Sequence, residues 1–374
     1  MKILQVGKFY PIVGGVEKVM YDLMLGLAER GVECDMLCAA SSGSSRTIDV
    51  APRARVIACR ALAKVAATMI SPSLVATMRR IAANYDIVHI HHPDPAACLA
   101  LMCSGYKGRV VLHWHSDIVK QRRLLKLYAP LQNWMLRRAD LIVGTSPVYL
   151  AESPHLKEVR HKTRCLPIGV APIVPDAAKA AEIRAQYPGK KIVFSLGRLV
   201  PYKGFKYLVR AAKYLGDDCV VLIGGCGMLH DELQREIAEN GVADQVKLLG
   251  YVSDDDLPNY YEACTLFCLP SVQRTEAFGI VQIEAMSCGR PIVATRIPGS
   301  GVSWVNQHGK SGLNVDPRDP KALADAIKAI TSDQTTYNQY SQGALERYRS
   351  VFTLDHMIEN CLLYYDNGKC SATN

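Results

Sequence analysis

Short apolar runs alternate with longer stretches of helical spacing along this chain, and the alternation occurs in two successive cycles. In the first cycle, residues 1–6, 32–37, 86–90, 109–114 and 141–144 are apolar runs of strand length. Between the first two, residues 17–30 carry helical spacing through Val19, Leu23, Leu27 and Ala28 and stop at Gly31. Strands separated by helices predict a parallel sheet covered on both faces. Residues 167–175 then turn proline-rich, and the pattern restarts at 191–195, 219–223, 246–249, 266–269, 291–294 and 312–315. At 374 residues the chain is too long for one comfortable core. The reading is therefore two doubly wound, Rossmann-like α/β domains, residues 1–170 and 171–349, joined by the proline-rich linker. A helical stretch at about 350–374 is a candidate to return to the first domain.

Composition narrows the class. A hydrophobic content of 49% with 21% charged residues is that of a soluble globular chain. No run of 18 apolar residues offers a bilayer span, and the first residues read as a buried strand with no secretory leader, so a cytoplasmic protein is expected. The thirteen cysteines form no CxxC pair, which suits reduced thiols used as small apolar side chains. The net charge of +9 is unevenly placed: residues 1–170 carry 23 Lys and Arg against 12 Asp and Glu, the remainder 21 against 23. An anionic partner is expected at the first domain.

In parallel α/β sheets, ligands bind outside the carboxyl ends of the strands. Four segments sit there. Gly197 to Gly204 places Arg198 and Lys203 five residues apart on one loop, where a guanidinium fork and a mobile ammonium can clamp two phosphates. Residues 276–286 hold Glu276 and Glu284, with Ala277, Phe278 and Gly279 leading into a helix whose first amides suit an anion. Glu284 lies among Ile280, Val281, Ile283, Ala285 and Met286, so it is either a surface charge or a partly buried one in need of a partner. Gly14 and Gly15 precede a helix and can offer backbone N–H groups, or simply make a tight turn. His115, followed by Ser116 and Asp117, ends the fourth strand and is either functional or a core or capping histidine.

Three other patterns are set aside. Asp254, Asp255 and Asp256 match the DxD of metal-dependent transferases, but Ser253 with Asp256 before Leu257 reads as a capping box. His89, His91 and His92 lack a Cys or carboxylate cluster to complete a metal site, Asp94 excepted. Gly225 and Gly227 begin a GxGxxG whose sixth position is His230, so a nicotinamide fingerprint is missing. Residues 65–78, flanked by Lys64, Arg79 and Arg80, and residues 118–136, with Lys120, Arg122, Arg123 and Lys126, are amphipathic. Each is suited to an anionic bilayer surface or to an ordinary surface helix.

Taken together, these motifs resemble glycosyltransferase family 4, the retaining family with the GT-B fold, over nearly the whole chain. The likeness rests on Gly14, Gly15, Val16 and Glu17; on residues 86–91; on His115, Ser116 and Asp117; and on Gly197, Arg198, Lys203 and Gly204. Residues 276–284, 299–301 and 309–313 complete it. It implies two Rossmann-like domains facing across a cleft, with a sugar nucleotide as donor. Arg198 and Lys203 would hold the diphosphate, Glu284 the ribose, and Glu276 with the Ala277, Phe278 and Gly279 backbone the sugar hydroxyls. Gly14 and Gly15 would approach the donor, His115 would sit beside the anomeric carbon, and the base would lie against Tyr251 and Val252. Residues 115–121 and 299–302 look most like bacterial mannosyltransferases of surface-polysaccharide assembly.

The resemblance leads to an α-mannosyltransferase using GDP-mannose and a lipid-linked oligosaccharide acceptor in lipopolysaccharide or O-antigen biosynthesis, peripheral on the inner face of the cytoplasmic membrane. Arg198 and Lys203 already supply positive charge at the leaving group, so no metal and no cofactor is expected. Alternatives are a UDP-hexose donor, a catalytically silent sugar-nucleotide-binding protein, a sugar-nucleotide epimerase of GT-B shape, and nucleic-acid binding by the basic half. Of these readings the transferase is preferred, and with it no nucleic-acid partner is expected.

Overall fold

The structure, a computed structural model, describes residues 1–12, 14–65, 68–118 and 122–366, and for 122–125 the backbone alone. Val119, Lys120 and Gln121, part of the stretches named above, lie outside it. Contacts divide the chain into two compact units: Met1–Gly169 together with the segment from Leu354 onward, and Val170–Thr353.

The first unit is built on strands β1 (Lys2–Tyr10), β2 (Glu33–Ala40), β3 (Arg46–Ala51), β4 (Ala54–Arg60), β5 (Ala63–Val65), β6 (Thr68–Ile70), β7 (Ile87–His92), β8 (Arg109–Trp114), β9 (Leu141–Gly144) and β10 (Thr163–Cys165). Eight of them form one sheet in the order β10-β9-β8-β7-β1-β2-β4-β3, parallel except for the β3/β4 pair. The remaining two, β5 and β6, make a separate antiparallel hairpin. Strand β7, with sequence IVHIHH, is buried at every position and so takes three histidines into the interior. The order reverses between β1 and β7, which makes their carboxyl ends the crevice where such sheets bind ligands.

The C-terminal helix Leu354–Asp366 belongs to this unit and packs on the helix Gly15–Glu29. Arg109 reaches the backbone carbonyls of Tyr364 and Tyr365, the Tyr364 hydroxyl donates to the Cys165 carbonyl at 2.8 Å, and Arg30 pairs with Asp355 at 2.5 Å.

The second unit holds β11 (Lys191–Leu196), β12 (Cys219–Gly224), β13 (Val246–Gly250), β14 (Leu266–Leu269), β15 (Ile292–Thr295) and β16 (Gly312–Val315). They form one parallel sheet in the order β13-β12-β11-β14-β15-β16. Here the reversal falls between β11 and β14. The loop after β11, carrying Arg198 and Lys203, and the loop after β14, carrying Glu276, therefore leave the sheet as neighbours. Val193, Val221, Ile223, Leu266 and Val293 form the core on one face with Phe205, Leu208 and Val209 from the helix Phe205–Ala212.

Two local expectations change. The apolar runs marked in the sequence include none within residues 46–70, where the described residues form four strands; β3 is an exposed edge strand without an apolar period. Of residues 65–78, Ala66 and Ala67 lie outside the described residues; Val65 ends one hairpin strand, 68–70 supply the next, and 72–78 belong to the helix Pro72–Ile81, so the described ones do not make one segment.

Candidate active site

In the second unit the chain leaves β11 at Leu196 and crosses Gly197, and Lys203 folds back over it. A Cβ at Gly197 would lie 3.0 Å from Lys203 Cε and 3.2 Å from its Nζ, so glycine makes room for the ammonium. At Gly204 the backbone is left-handed (φ +69°), and a Cβ would come within 2.1 Å of the Pro270 carbonyl. Any larger residue there would push apart the two loops that the sheet order brings together.

The result is a buried ion pair. Lys203 Nζ lies 2.6 Å from Glu276 Oε2, with the two side chains only 10% and 11% exposed. Ser271 Oγ donates to the same carboxylate oxygen at 2.9 Å. The Glu276 main chain is fixed as well: its carbonyl accepts from Ser300 Oγ at 2.5 Å, its N–H donates to the Gln273 carbonyl, and the Gly301 N–H donates to the Ala277 carbonyl at 2.8 Å. Arg198 is exposed, with one guanidinium nitrogen 3.4 Å from the Tyr202 hydroxyl. One cation is thus held close to a carboxylate while the other is presented to solvent.

Gly279 caps the helix Ile280–Ser287 in a left-handed conformation and without a side-chain hydrogen bond; Phe278 beside it is buried. One turn inside, Glu284 is half-buried rather than a surface charge, and the Tyr261 hydroxyl donates to its Oε2 at 2.6 Å. Burial, and then the Glu284 charge, hold the Tyr261 phenol well above its usual pKa, so it stays a donor. Tyr251 is exposed and Val252 half-buried after β13. Ser253 Oγ accepts the Asp256 N–H at 3.1 Å as a capping box requires. The return bond differs: the carboxylate of Asp256 takes the Ser253 hydroxyl at 2.7 Å, and the helix begins only at Leu257.

In the first unit Gly14 is the N-cap of the helix Gly15–Glu29 and makes no side-chain capping bond. His115 follows β8, is 4% exposed, and donates its main-chain N–H to the His92 carbonyl. It stacks on His113 with ring centroids 3.9 Å apart, and its Nε2 lies 2.9 Å from His91 Nδ1. Asp117 acts structurally, tying the end of β8 to the segments around Tyr149 and Ser153. Its carboxylate accepts from Trp114 Nε1 and Ser153 Oγ, both at 2.8 Å, and its N–H donates to the Tyr149 hydroxyl.

The histidines of β7 and β8 come together in a way their spacing did not indicate. Ring nitrogens of His89, His91 and His113 lie within 4.8 Å of one another. A cation there would compete with bonds already made. His91 uses both nitrogens, on Gln5 and His115, His89 Nδ1 meets the Tyr365 hydroxyl at 2.5 Å, and His89 stacks on His91. Asp94, the nearby carboxylate, caps the helix Pro95–Ser104 and accepts the Lys8 N–H. Burial lowers the pKa of every member of the group, to about 3 for His92 and His113, so these side chains are neutral.

Sequence reasoning does not single out Ser271, Tyr261, Gln5 or His91 as supporting residues. A polar Gln5 within an otherwise apolar parallel strand is the available signal for its role.

This arrangement defines a class: two Rossmann-like units of the GT-B fold, the second with a cation loop and two carboxylates at its switch point. Two family descriptions match, "Glycosyltransferase Family 4" over residues 13–172 and "Glycosyl transferases group 1" over residues 176–347. O-antigen chain mannosyltransferase C of Escherichia coli is 34% identical, covering 96% of each chain, and D-rhamnosyltransferase WbpZ of Pseudomonas aeruginosa is 32% identical, covering 94% of this chain and 92% of that one. Among solved structures, Anabaena Alr3699/HepE in complex with UDP superposes with a TM-score of 0.79 at 21% identity, covering 98% of this chain and 100% of that one. The Thermosynechococcus elongatus sucrose-phosphate synthase gives 0.80 at 22%, covering 99% and 100%. The chain belongs to glycosyltransferase family 4, and it is a glycosyltransferase.

Proposed function

We propose that this protein is a retaining α-mannosyltransferase that moves mannose from GDP-mannose to a lipid-linked glycan in the assembly of a bacterial surface polysaccharide. The observation that carries it is the Lys203–Glu276 pair beside Arg198 at the switch point of the second sheet. Breaking the bond between C1 of the sugar and the diphosphate leaves negative charge on the phosphates, and fixed cations stabilise it without reorganising. Arg198 and Lys203 fill that role without a metal, Glu276 takes sugar hydroxyls, and Glu284, held by Tyr261, takes the ribose. Gly14, Gly15 and His115 serve the sugar being transferred.

In the step itself, the acceptor hydroxyl oxygen bonds to C1 on the face from which the phosphate departs. The electron pair of the broken bond goes to the diphosphate, whose oxygen also takes the acceptor's proton. The products are the glycoside and the nucleoside diphosphate.

Mannose is favoured by the E. coli relative's name, and the P. aeruginosa relative marks the nearest competitor, since D-rhamnose is mannose without its 6-hydroxyl. Peripheral membrane binding is supported by exposed Val65 and Ile70 on the β5/β6 hairpin, by Leu62 just before it, and by Leu99, Met102 and Leu127 on helices of the same basic unit. Among the described residues no helix is long and apolar enough to cross a membrane.

A panel of nucleotides and sugar nucleotides scored by thermal protection tests the donor, since a ligand at a hundredfold its dissociation constant adds about 2.7 kcal/mol. GDP and GDP-mannose should protect, and turnover should persist in excess EDTA. Protection by UDP alone would refute the mannose reading, and loss of activity restored only by a divalent ion would refute the metal-free one.

A further inference from the structure

The hydrogen bonds around His115 form a directed chain. Gln5 Nε2 donates to the Met20 carbonyl at 3.0 Å and to Cys34 Sγ at 3.4 Å. A carbonyl can only accept, so this contact fixes which end of the Gln5 amide is nitrogen. The other end, Oε1, then faces His91 Nε2 at 2.9 Å and must receive a proton from it. His91 is fully buried and neutral, so with its proton on Nε2 its Nδ1 is a lone pair. That lone pair lies 2.9 Å from His115 Nε2, which must therefore be the donor.

We infer that Gln5 and His91 are positioning residues that hold His115 in its Nε2–H tautomer, leaving Nδ1 as an acceptor for a hydroxyl of the sugar being transferred. The last clause rests on the transferase reading above; the tautomer does not. His115 Nδ1 is buried and has no hydrogen-bond partner among the described residues. The ring cannot easily turn to exchange its nitrogens, because His113 stacks on one face at 3.9 Å and 18° while His91 holds the edge. Gln5 lies on β1 and His115 follows β8; His91, on β7 between those strands, completes the path. A neutral acceptor suits a sugar hydroxyl, which brings its own proton.

The intact protein labelled with 15N in its histidines distinguishes protonated from unprotonated ring nitrogens. In the wild type, His91 and His115 should each carry the proton on Nε2. Gln5→Met keeps the length of the side chain and removes the acceptor; His91→Phe keeps the stacked ring and removes both nitrogens. In either variant the His115 signals should become a mixture of tautomers. With the donor, kcat should fall about tenfold, the size of one lost hydrogen bond, while the donor KM stays within about twofold. A wild-type His115 protonated on Nδ1, or an Nε2–H tautomer that persists in whichever variants fold, overturns the inference. Should the tautomers behave as stated while no hexose is transferred by the wild type, the transferase reading fails and the relay stands.

Discussion

The Lys203 ammonium lies 2.6 Å from Glu276 Oε2 in a setting where each side chain is about nine-tenths buried. On the roles proposed above, a donor diphosphate shares Lys203 with Glu276, and the sugar hydroxyls share Glu276 with Lys203. Removing one partner strands the other charge, at a cost of about 3–5 kcal/mol.

Lys203→Ala and Glu276→Ala should each lower kcat by about 10²–10³. Each should also lower Tm, and the double variant should lose less stability than the two singles added together. Denaturant melts and turnover on the four proteins measure this. Additive stability losses, or near-normal turnover in either single variant, would count against the assignment.

The Tyr261–Glu284 bond gives a different signature. Glu284→Ala should raise the donor KM by about ten- to hundredfold, as expected for a lost hydrogen bond to a charged group. Tyr261→Phe should raise it less, because the carboxylate remains and only its orientation is loosened. Steady-state kinetics with the donor varied separates the two. An unchanged KM in Glu284→Ala would remove the ribose role.

Much of this was legible in the sequence, and the reason is physical. Strands buried on both faces must be almost wholly apolar, so Cys219–Gly224 and Leu266–Leu269 announce themselves. An edge strand such as Arg46–Ala51 is largely exposed and carries no such signal. The Arg198 and Lys203 loop and the Glu276 loop were visible separately. Their meeting was not, because it depends on β11 pairing with β14 rather than only with β12, a sheet order that no local pattern encodes. The sequence around Glu284 left a surface charge and a partly buried, partnered one both open, and gave no sign of Tyr261. The histidines of β7 were read by spacing along their own strand, whereas their chemistry comes from Gln5, His113 and His115 across the sheet.

The buried histidines also set a pH limit. Above about pH 6.5 they are neutral in both folded and unfolded chains and contribute no pH dependence. Below it the unfolded chain takes up protons that His89, His91, His92, His113 and His115 refuse while folded, down to about pH 3 for His92 and His113. Stability should fall with decreasing pH by up to about 1.4 kcal/mol per pH unit for each. Circular-dichroism melts between about pH 7.5 and 5 should show Tm dropping steadily below about 6.5. A flat Tm across that range would contradict the neutral core.

Membrane binding is tested by co-sedimentation with vesicles. Each Lys or Arg near an anionic surface is worth about 1 kcal/mol, and the first unit has the charge to spare. Binding should require anionic lipid, reverse at high salt, and weaken in Arg122→Glu with Arg123→Glu and separately in Leu62→Ser with Ile70→Ser. The first pair probes residues on the helix Arg122–Arg138, the second the exposed hairpin. Binding that ignores lipid charge and both pairs would contradict the peripheral reading.

Mannose transfer is tested most directly by incubating the protein with GDP-[14C]mannose and membranes that carry the unfinished lipid-linked glycan, then counting label in the lipid extract. Wild-type protein should move mannose into that fraction, with the anomeric configuration of the donor kept, and Lys203→Ala should not. Label that stays entirely in the aqueous donor pool with wild-type protein, or transfer undiminished in Lys203→Ala, would contradict the account.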